Sequence, residues 1–163
     1  IHYMARLIAA DDLPSICRRL LVIAAEDVGL AFPNAIVVTK ACVDSALQLG
    51  FPEARIPLAE AVILLATAPK SNSAEAAIDM ALADVERGNT GDFPRHLQNK
   101  HYDGEGAAVK GQHYLYPHDY PNHYIEQQYL PDNIKDRVYY KYGDNKFEQA
   151  SYEYWKKIKG TVK

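Results

Sequence analysis

The chain holds two cysteines in 163 residues, Cys17 and Cys42, with no Cys-x-x-Cys spacing. Isolated thiols in a chain without a secretory signal read as small core residues in a reducing compartment rather than as a disulfide. Its longest apolar run, Ala61 to Ala68, is broken by Thr67 and falls far short of the roughly 20 residues a membrane-spanning helix needs. Residues 1–10 have neither a basic lead nor a small-residue cleavage site, so no signal peptide is read. No glycine is followed by lysine, which leaves no phosphate-binding loop of the nucleotide-hydrolase kind. No Gly-x-Ser-x-Gly nucleophile elbow is present either. The chain starts on Ile1 rather than Met and already reads as helical there, so it is expected to be a fragment.

What is present is globular in composition, 48% hydrophobic and 24% charged, and the length suits one domain. The residues are distributed unevenly. Of 12 Tyr, only Tyr3 precedes residue 100, and 19 of 22 Ala precede residue 84. Residues 1–93 carry 7 Lys/Arg against 12 Asp/Glu (net −5), and residues 94–163 carry 11 against 9 (net +2). The whole, at net −3, is not basic enough to imply a nucleic-acid partner by charge alone.

The first half reads as short helices. Residues 1–10 look like the end of one. Asp12 supplies an N-cap and Pro14 a first-turn proline for the next, which runs to about Val28 and stops at Gly29. Pro33 starts a third and Gly50 ends it. Residues 57–68 form a helix that is apolar nearly all round, with Glu60 its one charge, which places it under other helices or under a partner subunit. Asn72 and Glu75 form a capping-box pattern for a helix expected to bury Ile78, Ala81, Leu82 and Val85 and to end at Gly88. No useful strand alternation occurs, so the fold class is all-α.

From Asn89 to about Pro131 helical period is lost, with Gly91, Pro94, Gly104, Gly106, Gly111, Pro117, Pro121 and Pro131 as punctuation. The aromatic content argues against disorder; the expectation is an ordered segment laid on the helices with its Tyr rings packed. Tyr116–Pro117 and Tyr120–Pro121 are candidates for a cis bond. Asn145 and Glu148 repeat the capping-box pattern, opening a last helix over about 146–159 with Phe147, Tyr154 and Ile158 on one face.

Several residues carry candidate chemistry. Glu26 and Asp27 sit where the helix dipole disfavours acids, so they are expected to be paired with an amide or an Arg. Lys70, Ser71 and Asn72, between two helices, could hold an anion at a helix N-terminus, or simply cap and turn. His113, His118, Asp119 and His123 could ligate a metal, but their spacing fits no helical face and no established motif; satisfied loop residues are the plainer reading. Cys17 and Cys42 lie on apolar helix faces, which suits packing. The tyrosines and terminal lysines could stack bases and neutralise phosphates, although rings packed on helices or a partner chain are favoured. Nothing here reads as an active site.

Taken together, the motifs resemble a known family. Ala25-Glu26-Asp27-Val28-Gly29 is similar to a Ser/Ala-Glu-Asp-hydrophobic-Gly signature, and the stretch from Pro52 to Ala59, with Arg55, to a Pro-Glu-Ala-Arg run. Ala68-Pro69-Lys70-Ser71-Asn72 matches the most diagnostic stretch. Tyr114-Leu115-Tyr116-Pro117-His118-Asp119, Glu126-Gln127-Gln128-Tyr129-Leu130-Pro131 and Tyr139-Tyr140 match later motifs. The chain resembles the C-terminal part of the replication-associated recombination protein A (RarA/MgsA) group of AAA+ ATPases, relatives of the Werner-helicase-interacting protein.

The resemblance implies that residues 1–12 are the end of the AAA+ lid and 13–163 a C-terminal oligomerisation domain, 13–88 its helical core and 89–163 an aromatic wrap and final helix. It implies a homotetramer, replication-fork DNA and replication proteins as partners of the full-length protein, no membrane, and a cytoplasmic, nucleoid-associated location. ATP and Mg would bind an upstream domain, so no catalytic residue, cofactor or metal is carried onto this chain. Glu26, Asp27, Arg55, Lys70, Ser71, Asn72, His118, Asp119, Gln127 and Gln128 are carried as motif or contact residues. A DNA-contacting helical module and a small His-metal hydrolase stand as alternatives. Two departures matter: Phe32 stands where relatives often have an acidic cap, which could expose its ring, and Asn122-His123-Tyr124 lacks a Gly pair common in relatives.

Overall fold

The computed structural model describes residues 1–97 and 114–161, and the described residues are all-α with no strand. Six α-helices follow in order: α1 (His2–Ala9), α2 (Leu13–Ile23), α3 (Ala35–Leu49), α4 (Arg55–Thr67), α5 (Ser73–Glu86) and α6 (Lys146–Thr161). Gly104, Gly106 and Gly111, read above as loop punctuation, lie outside the described residues, as do His113 and Lys163. No helix among the described residues is long and apolar enough to cross a membrane.

The chain divides into two compact units, the first made of residues 1–77 and 140–151 and the second of residues 78–139 and 152–163. Helices α5 and α6 each start in the first and continue in the second.

In the first unit, the Ser15 amide donates to Asp12 Oδ1 at 3.1 Å, so α2 has the cap its sequence provides. The helix does not run unbroken to Val28. It gives way at Ala24 to a π turn, Ala24–Val28, followed by a 3₁₀ turn, Gly29–Ala31. Helix α3 ends on Gly50 at φ +68°. Helices α2, α3 and α4 pack on one another, and α2 and α3 also pack on the π turn. Their core is Ile16, Leu20, Val28, Val43, Leu58 and Leu65, with Ala24, Ala35, Ala46, Ala54 and Ala61 at the close approaches. Small residues there let backbones come near enough for dense packing. Phe32 packs against this core instead of exposing its ring, since the short helical turns before it direct it inward. Cys17 and Cys42 are buried free thiols, and burial pushes both thiols up, Cys42 with a smaller push from Glu60. That suits packing rather than nucleophilic chemistry. The chain's cis peptide bond among the described residues is Phe51–Pro52 rather than either Tyr–Pro bond.

Helix α4 keeps an apolar strip in solvent: Ile56 is 60% and Ile63 55% exposed. Helix α5 departs further from expectation. Ile78, Leu82 and Val85 are all more than half exposed, and its fully buried side chain is Asp84. The period correctly gathers the three apolar residues on one face, but the chain turns the Asp84 face inward because an arginine and a tyrosine wait there. On α6 likewise, Phe147 and Tyr154 are exposed; Glu148 and Ile158 are the buried positions.

Candidate functional site

Two buried carboxylates organise the residues that the sequence motifs single out. Glu148, on the first turn of α6, has no solvent exposure. Its Oε1 accepts from Ser73 Oγ (2.6 Å), the Tyr140 hydroxyl (2.8 Å) and the Gly143 amide (3.1 Å). Its Oε2 accepts from Ser71 Oγ (2.6 Å) and from Asn145 Nδ2. The Glu148 amide donates to Asn145 Oδ1 at 3.0 Å. One half of the expected capping box is therefore made, and the carboxylate is spent on residues 75 and 77 positions away in sequence. Burial by itself would raise this acid; the hydrogen bonds from Ser71, Ser73, Gly143 and Asn145 outweigh it and hold the pKa down to about 2. Tyr140 is pushed up to about 12, first by burial and then by its bond to Glu148.

The same junction joins two motifs through residues 42 and 44 positions apart. The Ser71 amide donates to the Asp27 carbonyl at 2.8 Å. Gly29, at φ +45°, lies so close that an added Cβ would stand 2.5 Å from the Ser71 carbonyl oxygen. The Ala25–Gly29 turn, the Ala68–Asn72 loop and the Asn145–Glu148 cap are thus one structure. The carboxylates of Glu26 and Asp27 are not paired as expected: both residues are exposed, and no hydrogen bond or ion pair to them occurs among the described residues. Full hydration leaves only a small dipole penalty at a helix end, so no partner is required. Lys70 turns away from the N-terminus of α5 and donates to the Leu65 carbonyl (2.8 Å) and the Ala68 carbonyl, satisfying the last acceptors of α4. Arg55 donates to the Pro52 carbonyl, and Asn72, also exposed, precedes the first residue of α5.

In the second unit Asp84 is 1% exposed. Arg137 meets it with two parallel bonds, Nε to Oδ2 at 2.7 Å and Nη2 to Oδ1 at 2.6 Å, and the Tyr139 hydroxyl donates to Oδ2 at 3.1 Å. The fork geometry fits a carboxylate. The Arg137 bond, aided by Tyr139 against the opposing effect of burial, holds Asp84 at about 2. The consecutive Tyr139 and Tyr140 therefore each serve one buried acid. The pair was legible as a motif; Asp84 was not, because nothing in the local sequence marks an acid among alanines as buried.

The Gln pair staples the irregular segment. Gln127 takes the Leu115 amide on Oε1 (3.2 Å) and donates from Nε2 to the Leu115 carbonyl (2.8 Å), as a neighbouring strand would. Gln128 donates to the Leu130 carbonyl (2.9 Å) and to Asp132 (2.7 Å), while its own carbonyl lies 2.7 Å from His96 Nε2. The His118 ring lies 4.8 Å from that of His123 and 5.0 Å from that of Tyr116 between centroids, tilted by 49° and 46°. No group of three or more possible metal ligands, Asp119 included, occurs among the described residues. Of the rings expected to be packed, Tyr114, Tyr116 and Tyr129 are between 43% and 53% exposed, while Tyr120 and Tyr124 are half-buried.

Asn122 and His123 both hold left-handed backbone, at φ +56° and +52°. Asn tolerates this region; His pays roughly 1–2 kcal/mol. Relief of that strain, set against the greater unfolded freedom of glycine, makes His123→Gly stabilising by about 0.5–1 kcal/mol, whereas His123→Val is destabilising. Urea midpoints of the two variants check this.

The family model described as MgsA AAA+ ATPase C terminal matches residues 1–159. The replication-associated recombination protein A of Bacillus subtilis is 54% identical over 159 residues, which are 97% of this chain and 38% of that protein. The Escherichia coli protein of the same name is 38% identical over 142 residues, 86% of this chain and 32% of that protein. The Dictyostelium discoideum protein named ATPase WRNIP1 is 29% identical over 143 residues, 86% of this chain and 16% of that protein. The chain thus spans less than two fifths of the length of these relatives.

Proposed function

Because this chain belongs to the family of MgsA AAA+ ATPase C-terminal domains, we propose that it is the homotetramerisation and interaction domain of an ATPase that maintains stalled replication forks. Residues 1–12 are then the end of the AAA+ lid. ATP and Mg are the business of the remainder of such a protein, and DNA and replication proteins are the partners of the whole, in the bacterial cytoplasm. The observation that carries the reading is the exposed apolar face of α5, where Ile78, Leu82 and Val85 stand 56%, 51% and 55% exposed one and two turns apart. Apolar side chains aligned on one helix face and left in water are the signature of a surface that another chain covers. The Ile56 and Ile63 strip of α4 is a second such surface.

A specific interface buries upwards of about 1,000 Å². Light scattering at tens of micromolar is expected to give four copies. A charged pair, Ile78→Glu with Leu82→Glu, is expected to shift the mass to smaller species while leaving the helical signal intact, because neither residue is in a core. A monomer for the parent chain overturns the reading.

A further inference from the structure

Helices α1 and α2 carry three arginines, Arg6, Arg18 and Arg19, and no acid. Helix α5 is the opposite, with four acids, Glu75, Asp79, Asp84 and Glu86, and no Lys or Arg. An apolar groove of about 220 Å³ lies along α1 and α2. Tyr3, Met4, Leu7 and Ile23 line it, Val62 of α4 stands beside them, and Arg19 is its one charged side chain. Tyr3 is 76% exposed. Arg19 is exposed as well and has no hydrogen bond or ion pair among the described residues. An apolar space of roughly 150 Å³ holds a benzene ring, so this groove has room for one or two aliphatic side chains.

The exposed face of α5 has the complementary form. Ile78, Leu82 and Val85 make an apolar ridge, and Asp79 and Glu86 both fall roughly a quarter turn round from Ile78, on the same edge of it. The two acids are exposed and have no hydrogen bond or ion pair among the described residues. Ridge and groove are each left in solvent, and each carries the charge that the other lacks. A polyanion would meet Arg19 but leave the apolar lining wet, and an uncharged apolar partner would leave Arg19 unmatched. We propose that the α5 ridge of one copy seats in the α1–α2 groove of another, Ile78 and Leu82 entering beside Tyr3 and Ile23, with the Asp79–Glu86 edge on the Arg19 side. This rests on the assembly reading and names the surface that the α5 face meets. On that reading α1 ends the AAA+ lid, so the contact sets one copy's assembly face against the lid of its neighbour.

Charge reversal tests the pairing, read by light scattering over a dilution series. Arg19→Glu is expected to raise the dissociation midpoint about tenfold, and Asp79→Lys with Glu86→Lys to do the same. All three residues are exposed, so the helical signal should hold. Mixing the two variants in equal amounts should restore assembly, because each supplies the charge the other now needs. The three substitutions in one chain should restore it as well, and added salt should shrink every difference. Tyr3→Cys in one batch and Leu82→Cys in another should cross-link between copies when mixed and oxidised, the native thiols being buried. Reversals that leave the midpoint unchanged, a mixture that stays dissociated, or the absence of that cross-link overturns the proposal. If Ile78→Glu with Leu82→Glu dissociates a chain that Arg19→Glu leaves whole, the α5 face meets some other surface: this pairing fails and the assembly reading stands. A parent chain that is monomeric throughout rejects the assembly reading itself, and this pairing with it.

Discussion

Glu148→Ala is expected to lower stability by about 3–5 kcal/mol, measured by urea denaturation. The substitution removes one carboxylate and strands five donors: the hydroxyls of Ser71, Ser73 and Tyr140, the Gly143 amide and Asn145 Nδ2. Each buried donor left without an acceptor costs about 1–3 kcal/mol, and water entering the vacated space recovers part of the total. Glu148→Gln should cost less. Its remaining oxygen can still accept from Ser73, Tyr140 and Gly143, and the Ser71 hydroxyl can rotate to accept from the new amide. Only Asn145 Nδ2 then faces a donor.

The two variants also separate by pH. Glu148 and Asp84 are both held at about 2, against ordinary values of 4.5 and 3.8. As pH falls, the unfolded chain takes up these protons first, so it gains on the folded chain. The stabilisation is complete above about pH 4.5 and is lost progressively toward pH 2. The Gln variant, which cannot titrate at position 148, should show a shallower acid limb that reflects Asp84 alone. On the alkaline side Tyr140, raised to about 12 from 10.0, contributes stability that is present below pH 10 and lost as pH rises toward 12. A Glu148→Gln melting curve with the parent's acid slope would show that the carboxylate is not held as the geometry requires.

Residues that act on their near neighbours were readable in sequence, and residues that act at long range were not. Asp12 and Gly50 mark helix ends because capping is decided within a few residues, whereas the helix read as running to Val28 gives way at Ala24. The same local logic read Asn145 and Glu148 as a capping box and found half of what Glu148 does. The other half depends on Ser71 and Ser73, which only folding brings near. Periodicity placed Ile78, Leu82 and Val85 on one face of α5, yet it cannot say whether a face is covered within the chain or outside it. Arg137 settles that question by drawing Asp84 inward. For the Ala25–Gly29 and Ala68–Asn72 motifs, sequence showed their residues but not that a hydrogen bond from Ser71 to Asp27 makes them one site.

Gly29→Ala probes that union and is expected to cost about 3 kcal/mol or more. Gly29 sits at φ +45° and ψ −131°, a region closed to side chains at about 1–3 kcal/mol. The new methyl would also stand 2.5 Å from the Ser71 carbonyl oxygen. Ser71 has little freedom to yield, since its amide is held by Asp27 and its hydroxyl by Glu148. Gly50→Ala is the control: it too lies at positive φ, +68°, but a Cβ there meets nothing within 4 Å. It should pay the backbone cost alone, about 1–3 kcal/mol. Displacement of Ser71 must also loosen its 2.6 Å bond to Glu148, so Gly29→Ala and Glu148→Gln should not add. A double-mutant cycle by urea denaturation is expected to give a coupling of at least about 0.5 kcal/mol, as for residues sharing a partner. Strict additivity, or equal losses for Gly29→Ala and Gly50→Ala, would show that the two motifs do not press on each other through Ser71.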